Sequence, residues 1–258
     1  MATYRTALVT GASSGIGECF SRRLAAAGSD LVVVARRTDR LAALARELRA
    51  AYDVEIEVLG ADLLDLPALA AVEQRLSDAD RPVDLLVNNA GFGTSGPFAE
   101  LPVQHEDEEV RLNVLALVRL TRAALPGMIE RGHGGVLNVS SMAGFQPAAF
   151  RATYAATKAF VTSFTEALAG ELRGTGVSAT ALCPGFTHTE FHQTNDFFPV
   201  DRVPGPFWLA AGDVVDAGLR AVENGRPLSI PGGQYRALAT LSRLAPRSLV
   251  RAVTGRVR

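Results

Sequence analysis

The 258-residue sequence has only two cysteines, Cys19 and Cys183, and its charges nearly cancel at a net −1. Two cysteines are too few for a disulfide framework, so we interpret both as buried free thiols. Hydrophobic residues make up 48% of the chain and charged residues 21%, a balance that excludes a disordered chain or a nucleic-acid-binding face. The expected class is a globular protein with no nucleic-acid partner.

The sequence also lacks a basic-then-apolar leader at its start. No apolar run comes near the roughly 18 residues that a membrane span requires. From these two absences we expect a cytoplasmic protein.

Short β-branched or leucine-rich runs alternate with longer helical patterns as far as about residue 230. Such alternation predicts parallel strands joined by right-handed helical crossovers. The fold class is therefore α/β, a single doubly wound domain with a seven-stranded parallel sheet and helices on both faces. The pattern after the second run predicts a helix capped by Thr38 or Asp39. The seven predicted strands lie at residues 6–10, 30–35, 54–60, 83–89, 134–140, 177–183 and 227–232.

A cluster of glycines follows the first predicted strand, in the segment ALVTGASSGIG. Gly11 comes directly after the strand, and Gly15 and Gly17 open the next predicted helix. Main-chain N–H groups and the helix dipole at such a turn can both face an anion. The hydroxyls of Ser13 and Ser14 lie in the same turn. The segment predicts a phosphate-binding loop, and a tight strand-to-helix connection without a ligand is the alternative.

Two arginines, Arg36 and Arg37, follow the second predicted strand. In dinucleotide-binding sheets an acidic residue here bonds the ribose hydroxyls and repels a 2′-phosphate. Two guanidinium groups invert that preference, so the pair predicts a 2′-phosphate site; the alternative is two solvated arginines at a helix start. Asp62, after the third predicted strand, is expected either to bond an adenine amino group or to cap the next helix.

Tyr154 and Lys158 stand four residues apart in a predicted helix, which places them on one face about 6 Å apart. An adjacent cation favours the phenolate, so we expect the pKa of Tyr154 to fall below its ordinary value near 10. Ser141 lies 13 residues before Tyr154. Asn113 lies in a helix after the fourth strand. We expect these strand ends to converge on one crevice.

With these motifs the sequence resembles the short-chain dehydrogenase/reductase family, in its shorter, non-extended branch, from residue 5 to about residue 232. The motifs that carry the resemblance are T-G-x-x-x-G-x-G at residues 10–17, NNAG at 88–91, Asn113, Ser141, Tyr154 with Lys158, and Pro184-Gly185 followed by Thr189. The resemblance implies one Rossmann-like NAD(P)-binding domain over residues 1–258, and with the two arginines it implies NADP(H) as cofactor.

The resemblance also implies roles for individual residues. Tyr154 would exchange a proton with the substrate oxygen, and Lys158 would hold the nicotinamide ribose and tune Tyr154. Ser141 would donate to the carbonyl oxygen, and Asn113 would hold a water that reconnects the proton to solvent. The cofactor-binding residues expected are Gly11, Ser13, Ser14, Gly15, Ile16, Gly17, Arg36, Arg37, Asp62, Leu63, Asn89, Ala90, Gly91, Tyr154, Lys158, Pro184, Gly185, Thr187 and Thr189.

The expected function is an NADP(H)-dependent interconversion of a carbonyl and an alcohol on a hydrophobic small molecule. Aromatic residues between about 186 and 210 predict an apolar substrate lid. Two alternatives stay open: a membrane-associated acyl-chain or lipid reductase, and a non-catalytic NADP(H)-sensing protein. The arginine-rich extension at about 233–258 predicts a basic surface helix, and membrane contact is its alternative. The resemblance implies a homo-oligomer, with a dimer favoured over a tetramer.

Two further patterns receive no functional role. His188 and His192 flank a glutamate at helical spacing, but they fall in the predicted lid, so we expect no metal. The acidic run HEDEE at residues 105–109 predicts a solvated helix start, where acids complement the helix dipole.

Overall fold

The computed structural model describes residues 3–192 and 203–244. Seven parallel strands form one sheet in the order β3-β2-β1-β4-β5-β6-β7, which confirms the predicted fold class. Because the strand order reverses between β1 and β4, a crevice opens there at the carboxyl ends of the strands. The strands are β1 Thr6–Thr10, β2 Asp30–Ala35, β3 Ile56–Gly60, β4 Leu85–Asn88, β5 Gly134–Val139, β6 Val177–Leu182 and β7 Leu228–Ser229.

Helices cover both faces of the sheet. The helices are α1 Gly15–Ala26, α2 Thr38–Ala51, α3 Leu66–Leu76, α4 Val103–Val110, α5 Leu117–Arg131, α6 Ala152–Glu171, α7 Ala211–Glu223 and α8 Gly233–Leu244. Strand residues alternate between the faces: Leu31 and Val33 pack with α1, α2 and α7, whereas Val32 and Val34 pack with α3, α5 and α6. The sheet is therefore buried on both sides, as its nearly continuous apolar strands require.

Two expected helix caps are wrong. Helix α2 begins at Thr38, but the N-cap position belongs to Arg37, whose side chain makes no capping hydrogen bond within the described residues. Helix α3 is capped by Asp65, which accepts a 3.0 Å bond from the Ala68 N–H. Asp62 therefore does not cap α3, and its carboxylate instead accepts from the Leu64 N–H at 3.0 Å.

A continuous helical run spans residues 103–131, because a π-helical turn at Arg111–Ala116 joins α4 to α5. By length and composition alone this run could cross a membrane, contrary to the expectation from the sequence. Leu120, Ala124 and Met128 are buried against the sheet, however. One helix of this length and composition is only weak evidence for a membrane span.

Both cysteines are free thiols, as expected. Cys183 is fully buried, and burial raises the pKa of its thiol to about 11. Cys19 is only half-buried, and burial likewise raises its pKa. Both thiols are therefore poor nucleophiles near neutral pH.

Two asparagines join β4 and β5 through a buried hydrogen-bond network. The Asn88 amide donates to the Asn138 Oδ1 at 2.9 Å and to the Thr121 hydroxyl at 3.0 Å. The Asn138 amide donates to the Thr165 hydroxyl at 2.9 Å, so the network also reaches α6. Since α6 carries Tyr154, these bonds help to fix that helix against the sheet.

Asn138→Leu should lower the free energy of unfolding by about 2 kcal/mol, because the replacement removes one partner each from the buried Asn88 amide and Thr165 hydroxyl. Chemical denaturation at equilibrium measures the change. Asn224→Leu is the matched control: Asn224 is exposed at the end of α7 and should stay within about 0.5 kcal/mol of wild type. Equal stability of Asn138→Leu and wild type would show that the network contributes nothing.

Candidate active site

The glycine loop after β1 has the geometry of an anion site. Gly11 and Gly15 adopt φ angles of 67° and 58°, a region that favours glycine. A Cβ on Gly17 would lie 2.3 Å from the Gly11 carbonyl oxygen, so this turn tolerates no side chain there. Ile16 packs its side chain on the core and contributes only backbone to the loop. The N–H groups at the start of α1 lack intrahelical acceptors and are available to an anion.

The loop after β4 braces the glycine loop. The Thr10 hydroxyl accepts from the backbone N–H groups of Asn89 and Ala90, both at 3.0 Å. The Asn89 amide donates to the Thr10 carbonyl at 2.9 Å and to the Gly11 carbonyl at 3.4 Å. The Asn89 side chain is therefore engaged in holding the loop, which leaves the backbone of 89–91 for contact with a cofactor.

The two predicted phosphate-binding arginines differ in their surroundings. Arg37 donates to the Ser13 hydroxyl at 3.2 Å and to the Ser14 hydroxyl at 2.6 Å, so it lies over the glycine loop. Arg36 is 72% exposed and lies 3.9 Å from Asp62. Leu63 is buried in the core, so its side chain is not available to a cofactor.

Asn113 lies in the π-helical turn between α4 and α5, the kind of local insertion that often marks a functional site. Its amide donates to the Phe92 carbonyl at 2.7 Å and to the Thr157 hydroxyl at 3.2 Å. Its Oδ1 accepts from the Phe92 N–H at 3.1 Å. A Cβ on Gly91 would lie 2.7 Å from this Oδ1 and 3.6 Å from the Lys158 Nζ, which places both groups beside Gly91.

Tyr154 and Lys158 lie together on α6, with the Lys158 Nζ 5.8 Å from the centroid of the Tyr154 ring. The pKa of Tyr154 is raised by burial, although a hydrogen bond with Ser141 and the Arg151 cation each lower it in part. The expected depression of this pKa by Lys158 is therefore wrong for the protein described here. Burial outweighs the nearby charges.

Lys158 is itself buried, and its ammonium donates to the Val139 carbonyl at 2.9 Å. Burial lowers its pKa from 10.5 to about 8, against the opposing effect of Glu109. Near neutral pH Lys158 is therefore a cation that loses its proton in mildly alkaline solution.

The acidic run at residues 105–109 is not a solvated helix start, because two of its members are buried. Glu109 is 0% exposed, and its carboxylate accepts from the N–H and hydroxyl of Thr94 at 2.9 and 2.6 Å. Glu106 is 8% exposed and accepts from the Thr153 hydroxyl, next to Tyr154. Glu106 and Glu109 are three residues apart and therefore lie on one face of α4, and this spacing was the sequence signal that could have indicated their burial. Burial raises the pKa of Glu109.

The segment after β6 contacts both the turn that follows β5 and helix α8. The Pro184 carbonyl accepts from the Met142 N–H at 3.0 Å, beside Ser141. A Cβ on Gly185 would lie 1.9 Å from the Tyr235 ring, so glycine is required there. The Thr187 hydroxyl donates to the Gly185 carbonyl at 3.0 Å.

Tyr235, on α8, is a positioning residue that the sequence analysis missed. Its hydroxyl accepts from the Phe186 N–H at 3.0 Å and donates to the Phe207 carbonyl at 2.6 Å. It therefore ties together the two described ends of the predicted lid, which also pair through Thr187 and Leu209. Residues 193–202 of that lid and residues 245–258 of the C-terminal extension lie outside the described residues.

The histidine pattern shows no metal site in the part of the chain that the structure describes. The His188 ring stacks on Trp208 with ring centroids 4.6 Å apart. The intervening Glu190 forms ion pairs with Arg37 and Arg40.

The residues present fit a phosphorylated dinucleotide. The side-chain-free turn at Gly11–Gly17 presents helix-start N–H groups, and Arg37 adds a cation over the same turn. The buried Tyr154 and Lys158 lie beyond Gly91 along the same crevice. One end of the crevice therefore suits phosphate, and the other suits proton exchange.

Comparisons with known proteins agree with this geometry. A family model described as short chain dehydrogenase matches residues 5–197. An "Uncharacterized oxidoreductase" of Myxococcus xanthus is 37% identical over 263 residues, covering 99% of this chain and 98% of that relative.

Two solved structures are similar along almost their whole length. A short-chain dehydrogenase from Sphingobium yanoikuyae in complex with NADPH has a TM-score of 0.84 and 35% identity, covering 98% of this chain and 96% of that chain. A bulky-bulky ketone specific alcohol dehydrogenase from Comamonas testosteroni has a TM-score of 0.80 and 33% identity, covering 98% and 95%.

Glu109→Gln should raise the melting temperature near pH 7, because it removes a buried carboxyl whose charged form is disfavoured and keeps an acceptor for Thr94. A group whose pKa is raised on folding stabilises the fold fully below its unfolded pKa, and that contribution is lost as the pH rises through the folded pKa. The gain should therefore vanish below about pH 4. Calorimetric scans between these limits measure it.

Glu108→Gln on the same helix is the control for this variant, because Glu108 is only half-buried and should leave the pH profile of the wild type unchanged. A Glu109→Gln protein that melts below wild type near neutral pH would show that the buried carboxylate stabilises the fold.

Proposed function

The chain belongs to the short-chain dehydrogenase family, and from that membership we propose that it is an NADP(H)-dependent oxidoreductase that interconverts a carbonyl and an alcohol on a hydrophobic substrate. One observation carries the proposal: the buried Tyr154, in hydrogen-bonding reach of Ser141, lies beside Lys158 at the end of a crevice that begins with the glycine loop. A protein that only senses a cofactor does not need a proton donor at this place.

The cofactor, when bound, supplies or accepts a hydride at the substrate carbon. Backbone N–H groups of the glycine loop would hold its phosphates, and the backbone of 89–91 would line its path. Lys158 would hold the nicotinamide ribose. Thr187 and Thr189 would bind the carboxamide end by backbone or hydroxyl.

The Tyr154 hydroxyl is the proposed general acid for reduction and, as the reaction reverses, the general base for oxidation. Because burial raises its pKa, the phenol is protonated at neutral pH, and a developing alkoxide is a strong enough base to take that proton. The Ser141 hydroxyl would hold the same substrate oxygen. The Asn113 amide nitrogen donates both of its protons, to the Phe92 carbonyl and to the Thr157 hydroxyl. A water that relays the proton to solvent is therefore proposed to donate to the Asn113 Oδ1.

The preference for NADP(H) is proposed from Arg37, whose guanidinium lies over the glycine loop, and from Arg36 at the same strand end. A hydrogen bond between charged partners contributes about 1.5–3 kcal/mol, and a guanidinium suits bidentate contact with phosphate. The similar enzyme from Sphingobium yanoikuyae was solved with NADPH, which supports the assignment.

The hydrophobic substrate is proposed from the aromatic rings near Tyr154. The Phe191 ring lies 6.0 Å from the Tyr154 ring, and Phe186 lies 5.7 Å from Trp208 between ring centroids. These rings would cover an apolar carbonyl compound beside the phenol. The similar alcohol dehydrogenase from Comamonas testosteroni is specific for bulky-bulky ketones, which fits a pocket of this kind.

The assembly and location are also proposals. Leu115 is 53% exposed and Phe160 on α6 is 42% exposed, where Phe160 stacks on Phe164. These apolar surfaces support a homo-oligomer, and we favour a dimer. A cytoplasmic location is proposed because Leu120, Ala124 and Met128 of α5 pack against the sheet and are not available to lipid.

Tyr154→Phe should lower kcat by about 10²–10⁴-fold and leave the Kd of NADPH nearly unchanged, because the hydroxyl acts on the substrate proton. NADPH oxidation, followed with a panel of aromatic and long-chain ketones, aldehydes, 3-oxoacyl thioesters and small sugars, measures the loss on the best substrate. Tyr52→Phe, at an exposed tyrosine, is the matched control. Retention of more than about a tenth of the wild-type rate would remove Tyr154 from the catalytic role.

Arg37→Ala should lower kcat/KM for NADPH about tenfold or more and leave that for NADH nearly as it was, because only the phosphorylated cofactor uses the guanidinium. The ratio of the two efficiencies is the measurement. Arg46→Ala, at an exposed arginine on the same helix α2, controls for the loss of positive charge. Equal losses for both cofactors would show that Arg37 does not read the 2′-phosphate.

A further inference from the structure

Glu190 brings a carboxylate into the proposed 2′-phosphate site. Its Oε2 accepts from an Arg37 terminal nitrogen at 3.2 Å, and both of its oxygens accept from an Arg40 terminal nitrogen at 2.9 and 3.0 Å. Hydrogen bonds from Arg40 and then Arg37 hold the pKa of Glu190 below its usual range, so the group is anionic at neutral pH. The guanidinium groups of Arg40 and Arg37 thus converge on one oxyanion, which lies 150 and 153 residues further along the chain.

The neighbours of Glu190 place this contact at the glycine loop. The same Arg37 donates to the hydroxyls of Ser13 and Ser14, which belong to that loop. A Cβ on Gly15 would lie 3.2 Å from the Thr189 Cβ, so the residue before Glu190 lies against the loop as well. The carboxylate therefore stands between two cations above the turn that would hold the cofactor phosphates.

We propose, on the basis of the NADP(H) function above, that Arg40 shares the 2′-phosphate site with Arg37 and that the Glu190 carboxylate competes with the phosphate for both arginines. A phosphate and a carboxylate present similar oxygen edges to a guanidinium, so the two anions are alternative occupants. Binding of NADP(H) displaces Glu190, whereas NAD(H) carries no competing anion and leaves the ion pairs intact. Cofactor choice thus depends on a third and a fourth charged residue besides Arg36 and Arg37.

The ion pairs of Glu190 with Arg37 and Arg40 are weak enough for the 2′-phosphate of NADP(H) to displace the carboxylate. The side chains of Arg37, Arg40 and Glu190 are 43%, 46% and 47% exposed, and exposed ion pairs contribute little to stability because water and salt screen them. A 2′-phosphate carries close to two negative charges and three acceptor oxygens, compared with one charge on Glu190. The 2′-phosphate therefore displaces the Glu190 carboxylate from the two arginines. The affinity for NADP(H) is lower than it would be at a site without Glu190.

The test compares two fragments that differ only in the phosphate of interest, adenosine 2′,5′-bisphosphate and adenosine 5′-monophosphate. Their binding to the full chain is measured by titration calorimetry, without nicotinamide or turnover. Glu190→Gln should bind the bisphosphate about threefold to tenfold more tightly than wild type and bind the monophosphate equally. Adding Arg40→Gln to this variant should weaken bisphosphate binding about tenfold and leave the monophosphate unchanged.

Glu73→Gln is the matched control. Glu73 forms a comparable surface ion pair with Arg119, on α3 and α5, so its loss changes the net charge equally and should leave both affinities at the wild-type value. All the substituted side chains are at least partly exposed, and melting curves confirm that each variant is folded.

The titrations test the competition by Glu190, the role of Arg40 and the NADP(H) preference separately. If Glu190→Gln binds the bisphosphate no more tightly than wild type does, the proposed competition is wrong. If wild type in the same titrations still binds the bisphosphate more tightly than the monophosphate, the proposed NADP(H) preference is unaffected. Unchanged bisphosphate affinity on adding Arg40→Gln overturns the assignment of Arg40. Wild type that binds both fragments equally overturns the NADP(H) preference itself, and this inference with it.

Discussion

The site depends on the close contact between the loop after β1 and the loop after β4. A side chain at Gly17 would collide with the Gly11 carbonyl and with the Asn89 amide, at 2.3 and 2.5 Å. The Thr10 hydroxyl and the Asn89 side-chain amide join the two loops by hydrogen bonds. Because the sheet order reverses between these strands, the same contact sets where the crevice opens. The contact between these two loops therefore fixes the place in the fold around which the candidate site residues lie.

At the inner end of the crevice, burial dominates the electrostatics. It raises the pKa of Tyr154 and lowers that of Lys158 to about 8, so both groups are driven toward their neutral forms. Glu109 opposes this for Lys158 and adds to it for Tyr154, since its charge favours the ammonium and disfavours the phenolate. Near neutral pH the same apolar enclosure therefore holds a neutral phenol at Tyr154 beside an ammonium at Lys158 that loses its proton in mildly alkaline solution.

The sequence predicted what depends on local spacing and failed where tertiary packing decides. The glycine turn and the Tyr154–Lys158 pair are set by positions a few residues apart, and both lie where expected. The direction of the Tyr154 pKa depends on how much chain covers the ring, which no spacing reveals. The burial of Glu109 likewise depends on tertiary packing: the acidic run predicted an exposed carboxylate, but the side chain is buried and bonded to Thr94. The contact between Tyr235 and Phe186 joins residues 49 positions apart, and no motif marks it.

The short turn at Glu190–His192 links the two chemical ends of the site. Glu190 contacts the arginines beside the glycine loop, and the adjacent Phe191 ring lies 6.0 Å from the Tyr154 ring. The Glu190 carboxylate and the Phe191 ring are thus carried by adjacent residues of one short turn, so the backbone that positions one also positions the other. The cations at Arg37 and Arg40 and the apolar surface beside the phenol are therefore bordered by the same few residues, although they lie at opposite ends of the crevice.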